Sequence, residues 1–180
     1  MSDLDLIKQI EKELNVKLEK SVTREYSKGY ILNQNEQVTG LDLYKCEIKN
    51  LNSIIPPLKE LTNLTKLNLR SNQLSNIPPL KELQNLTELN LSRNKFSEFP
   101  LLKDLTNLTS LNLNGNQLKN ISKLKDLTNL TELDLSRNQI CDISPLKKLK
   151  NLTELNLTTN QISDISSIKH LKNLPDLRLG

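Results

Sequence analysis

The side chains that could do chemistry in this chain are few, and their spacing does not assemble them. The one histidine, His170, stands beside Lys169 and close to Lys172. A general base needs a nucleophile within hydrogen-bond reach and an acid to orient it, and the surrounding motif supplies neither, so His170 reads as an exposed surface residue. Cys46 and Cys141 lie ninety-five residues apart, too distant to bond to each other. A Gly-rich phosphate loop, a metal-ligand cluster and a nucleophile elbow are all missing from the sequence. The inventory therefore names no catalytic, cofactor-binding or metal-binding residue and points away from an enzyme.

What the sequence does repeat is the side-chain amide. Asn72, Asn94, Asn116, Asn138 and Asn160 recur every 22 residues, in step with Leu64, Leu86, Leu108, Leu130, Leu152 and Leu174. An amide both donates and accepts, so a buried row of them can bond the backbone groups that successive corners leave unpaired. In the copy NLTELDLSRNQICDISPLKKLK, Leu133 and Leu135 alternate with Asp134 as in a strand with one buried face. From Ile140 onward the apolar residues come every third position, which suits 3₁₀-like or irregular turns. One unit is then a short strand, a corner, a compact return arm and a second corner. It cannot bury its own leucines, but stacked units can, their strands pairing into a parallel sheet over a continuous apolar ribbon.

The pattern LxxLxLxxNxIxxIxxLxxLxx resembles the leucine-rich repeat, and "NQISDIS" and "NQICDISPL" are similar to its 22-residue internalin type. The resemblance covers Val38 to Gly180 and implies an α/β repeat solenoid with a curved parallel sheet on its concave face. It divides the chain into an N-terminal cap, residues 1–37, and the repeats, residues 38–180. Ser2 or Asp3 caps a helix whose Leu6, Ile7, Ile10 and Leu14 share a face and which Asn15 can end. After an irregular link, a hairpin turning at Asn33 to Glu36 leads into the first strand. The first coil, Val38 to Asn63, holds 26 residues, with four extra near Leu51 to Pro57 expected to bulge. Five 22-residue coils follow, then a strand starting at Leu174.

In this family the concave sheet is the usual place for protein ligands. Strand alternation puts on it Tyr44, Lys66, Asn68, Arg70, Glu88, Asn90, Asn112, Asn114, Glu132, Asp134, Glu154 and Asn156, along with Ser92, Ser110, Ser136 and Thr158; Arg93 and Arg137 follow at strand exits. The row Lys59, Lys81, Lys103, Lys125, Lys147 and Lys169 runs along the return arms, but Glu60, Glu82, Asp104 and Asp126 accompany it, so it reads as a solvated ridge.

Net charge is +4, with both signs interspersed, which argues against nucleic acid or membrane as partner and leaves a protein. The charged first segment and two unpaired cysteines suggest a cytoplasmic setting. Sequons such as Asn63-Leu-Thr, Asn85-Leu-Thr, Asn90-Leu-Ser and Asn156-Leu-Thr read as template rather than glycan sites. "YSKGYILN" and "VTGLDL" resemble caps of bacterial proteins whose repeats precede a Roco-type GTPase, so the chain can also be read as the recognition arm of a larger protein. The strand left open at Gly180 suggests a longer repeat array or self-association through that edge.

Overall fold

A computed structural model describes residues 1–20, 28–169, 171 and 174–179. His170, Lys172, Gly180 and most of the link after Lys20 lie outside the described residues. Helix α1, Asp3–Leu14, opens with a reciprocal cap: the Ser2 hydroxyl accepts from the Asp5 amide and the Asp5 carboxylate accepts from the Ser2 amide. It ends at Asn15, which takes the left-handed conformation at φ 50°. Leu6, Ile7 and Ile10 are buried and Leu14 half-buried. Asp3 then accepts a hydrogen bond from the Val38 amide at 2.7 Å, tying the cap to the first repeat strand.

Among the described residues nine strands form one sheet in chain order: β1 Glu19–Lys20, β2 Gly29–Leu32, β3 Val38–Asp42, β4 Lys66–Asn68, β5 Glu88–Asn90, β6 Ser110–Asn112, β7 Glu132–Asp134, β8 Glu154–Asn156 and β9 Asp176–Arg178. Strands β2 and β3 pair antiparallel as a hairpin, whereas β3 to β9 run parallel. Register from β4 onward is that of the repeat: Leu67, Leu89, Leu111, Leu133, Leu155 and Leu177 sit side by side. The link contributes the short strand β1, which sequence reading treats as irregular. Gly29 is its signal, because a Cβ there would strike the Glu19 carbonyl.

The return arms stay short, as apolar residues at every third position require. Three contain 3₁₀ helices, Ser122–Asp126, Ser144–Lys148 and Ser166–Ile168. Two others close with i to i+3 bonds, Leu83 N–H to the Leu80 carbonyl and Leu105 N–H to the Leu102 carbonyl. In the first coil the four extra residues do not simply bulge. The arm winds into helix α2, Ile55–Glu60, with prolines in its first turn, where no N–H is missed. Its Leu58 is buried, and α2 packs against α1. One apolar cluster runs from Leu6 to Leu171. At the far end, Leu177 and Leu179 are 38% and 42% exposed.

Candidate binding face

Each strand from β4 on contributes only three paired residues, so side chains at the corners must finish the hydrogen bonding. The ladder Asn does so. In Asn116, Nδ2 donates to the carbonyls of Leu91 in the preceding coil and Leu113 in its own, while Oδ1 accepts from the Phe96 amide at 3.1 Å. Asn72, Asn94, Asn138 and Asn160 repeat this pattern. Every bond to a neighbour points toward the preceding coil. Cys46, in the first coil, has no preceding coil of this kind; its Sγ lies 3.7 Å from the Tyr44 carbonyl, and burial pushes the thiol up to about 11.

The outward side chains of the strands form a second ladder. Oδ1 of Asp42, Asn68, Asn90, Asn112, Asp134 and Asn156 each accepts the amide two residues on, at 2.8 to 3.1 Å. These Asx turns steer the chain out of each strand. Five of the predicted face residues are thus half committed to the backbone, a role that sequence reading overlooked although an Asn or Asp at that position in six coils was its signal. Asp42 is half-buried. Burial raises its carboxyl above the ordinary value, against the lowering effect of the Tyr44 amide and the Asn68 side-chain amide.

Two more rows explain the sequons. The Thr65, Thr87, Thr109, Thr131 and Thr153 hydroxyls each donate to the equivalent threonine carbonyl one coil earlier. Asn85, Asn107, Asn129 and Asn151 donate to a carbonyl of the preceding coil at 2.8 to 3.0 Å. Asn-Leu-Thr recurs because both polar residues span coils. At Asn90 and Asn156 the hydroxyl of the same triplet donates to the asparagine itself.

The remaining predicted residues divide by exposure. Lys66, Arg93, Glu132, Arg137 and Glu154 are exposed, while Tyr44, Arg70, Glu88 and Asn114 are half-buried. Ser92 and Ser136, placed on the face by alternation, are buried, because their hydroxyls turn down onto Asn90 and Asp134. Tyr44 lies between two cations, Lys45 Nζ at 5.1 Å from the ring centroid and the Arg70 guanidinium at 5.8 Å. Lys66 Nζ meets Glu88 across strands at 2.7 Å, and Ser110 donates to Glu132. Arg93 and Arg137 occupy the left-handed region at φ 53° and 55°, at the corner position also held by Ser71, Gly115 and Thr159.

Toward β9 the face dips into a depression of about 200 Å³ lined by Glu132, Asp134, Glu154, Asp176 and Arg178. The Arg178 guanidinium holds the Asp176 carboxyl below its ordinary value, and Asp176 with Glu154 and Asp134 raises that of Arg178. On the opposite side, five of the six ridge lysines are exposed, and Lys59 pairs with Glu82 at 3.4 Å. Among the described residues no group of His, Cys, Asp and Glu side chains is arranged to hold a metal ion, and no helix is long and apolar enough to cross a membrane.

A search of curated protein sequences returns no match. Among solved structures, an internalin of Listeria monocytogenes is 32% identical with a TM-score of 0.73; the alignment covers 96% of this chain and 48% of that one. A leucine-rich repeat protein of Leptospira interrogans is 30% identical with a TM-score of 0.60 over 78% of this chain and 42% of that one. The Arabidopsis receptor kinase HAESA, solved with the peptide hormone IDA and the co-receptor SERK1, shares the fold at 24% identity and a TM-score of 0.75, over 99% of this chain and 33% of that one. The chain thus spans about half the length of the Listeria protein and a third of the receptor. The model of paired Leucine Rich repeats matches four times in overlapping windows, 62–104, 84–126, 106–148 and 128–170. With that match over most of its length, and with its parallel sheet and amide ladder, the chain belongs to the leucine-rich repeat family, of the internalin type.

Proposed function

We propose that this chain is a non-catalytic module that binds another protein through its concave face, with Tyr44, Lys66, Arg70, Arg93, Glu132 and Glu154 as the leading contacts. The observation that carries this reading is the doubly anchored sheet. With the Asx and amide ladders fixing the exits of β4 to β8, the outward side chains stand on a preorganised surface, which lowers the entropy lost on binding. The receptor solved with a peptide hormone shows that this fold can receive a polypeptide.

Photo-crosslinking tests the reading. A crosslinker at Asn112 or Glu132 captures the partner and one at Lys81 or Lys103 does not. Reversing Glu132 and Glu154 to Lys weakens the captured complex, and reversing Lys81 and Lys103 leaves it intact. Glu154 is a cleaner choice than Asp134, whose Oδ1 also holds the Ser136 amide. Capture from the ridge alone moves recognition to the return arms.

A second reading, a recognition arm within a larger protein, is supported by the share of the internalin that the chain spans. Exposed Leu177 and Leu179 also support self-association through β9, which light scattering across a concentration series checks. We place the protein in the cytoplasm on its two free cysteines, one buried and one exposed. Fractionation of cells producing it tests that placement.

A further inference from the structure

The charges of the concave face are sorted along the solenoid. From β3 to β5 the cations Lys45, Lys66, Arg70 and Arg93 outnumber the carboxylates Asp42 and Glu88. Lys66 is spent on Glu88, and Asp42 is turned onto Asn68 and the Tyr44 amide, so the outward balance there is positive. Strand β6 and its exit present Ser110, Asn112 and Asn114, all uncharged. From β7 to β9 the carboxylates Glu132, Asp134, Glu154 and Asp176 outnumber Arg137 and Arg178, and Asp176 already holds Arg178 at 2.8 Å. The depression runs from β6, where Ser110 and Asn112 line it, across this second half, and all of its charged lining residues belong to β7 to β9. At about 200 Å³ it falls below the roughly 300 Å³ at which small-molecule sites begin. It suits a single long side chain of a larger partner.

We infer that the sheet reads charge order along its partner: a polypeptide segment with Lys or Arg over β7 to β9 and Asp or Glu over β4 and β5. This rests on the concave-face reading and adds the partner's chemistry and its direction. Four strand spacings of about 4.8 Å separate β4 from β8, so the two charge centres lie about 19 Å apart. An extended chain at about 3.3 Å per residue covers that distance in roughly six residues. Exposed pairs contribute only about 0.2 to 1 kcal/mol each, so the sorted face acts chiefly on orientation. A reversed segment meets like charge at both ends, and a segment of one sign is attracted at one end and repelled at the other.

The test uses the full chain and a synthetic peptide with three lysines, three Gly and Ser residues and three glutamates, which sets its charge centres roughly six residues apart, spin-labelled at either end. A second peptide of the same composition alternates Lys with Glu. At low salt, about 0.01 M, where screening extends to roughly 30 Å, the block peptide binds and a label at its lysine end broadens amide resonances of β7 to β9. A label at the glutamate end broadens those of β4 and β5. Replacing Glu132→Lys with Glu154→Lys weakens binding on the order of tenfold, and adding Lys66→Glu with Arg93→Glu restores it with the peptide reversed. Thermal melts of the variants establish that each remains folded. Equal binding of the alternating peptide, broadening of the same strands from both ends, or no binding at low salt overturns the charge order. A protein crosslinked from Asn112 in the presence of any of those results leaves concave recognition standing without it.

Discussion

Asparagine at the ladder and serine on the face differ in what their removal leaves behind. Asn116→Ala strands the Phe96 amide and two leucine carbonyls in the interior, a loss of about 1 to 3 kcal/mol. Leu133→Ala opens a cavity and costs about 2 to 5 kcal/mol, whereas Ser110→Ala, with one exposed bond to Glu132, costs little. Denaturant titration of the three variants checks the ranking. Cys46 marks the place where the ladder rule stops, since an amide there has no preceding coil whose N–H it could accept. Cys46→Asn is therefore destabilising and Cys46→Ala mild, despite the first restoring the consensus. The buried thiol keeps its proton to about pH 11, whereas the unfolded chain releases it near 9.0. The folded state then binds more protons between those values, and stability falls as pH rises through that window. Cys46→Ala removes this contribution, and thiol labelling at pH 8 modifies exposed Cys141 and spares Cys46.

At the scale of one coil, the corner before each ladder Asn is where sequence and backbone disagree. Ser71, Arg93, Arg137 and Thr159 adopt φ of 53° to 56°, and only Gly115 suits that region. A left-handed L-residue costs roughly 1 to 2 kcal/mol, and Thr159 is β-branched, the least suited of all. Thr159→Gly should raise stability by up to about 1 kcal/mol after the added unfolded-state entropy. Gly115→Val should lower it by at least as much, and thermal melts of the pair decide the matter. These corners were hidden from sequence reading because the residues filling them share no chemistry. The ladder, the strands and the arms were legible because one position in each coil accepts only one kind of side chain. The face was legible only as geometry. Alternation gave the direction of Asn90 or Asp134 but not the amide bond that occupies one of its oxygens, and it left Ser92 and Ser136 on a surface that they do not reach.

Across the whole molecule, stability passes from neighbour to neighbour. The two ends differ: α1 seals the first coil and is held to β3 by Asp3, while Leu177 and Leu179 of the last described coil remain open to solvent. Native-state hydrogen exchange should show protection rising from β9 toward β5, with Leu157 N–H exchanging before Leu91 N–H. Equal protection along the sheet would mean that the array opens as one unit. Asp3→Asn should loosen the N-terminal end without altering the order among β5 to β8.

Three of the four rows of side-chain bonds, those of the ladder Asn, the threonines and the junction Asn, reach the coil before, and each does so with the same residue type at the same place. The molecule therefore has a unit of growth. Copying residues 107–128 and inserting the copy after Thr128 gives Asn129 a threonine carbonyl to bond, Thr131 a threonine to follow and Asn138 a leucine carbonyl to reach, so both seams are already stitched. A gene can lengthen such a protein by tandem duplication without passing through a broken intermediate. Each added copy would widen the neutral stretch between the positive and negative halves of the sheet, changing which partners fit while the scaffold stays the same.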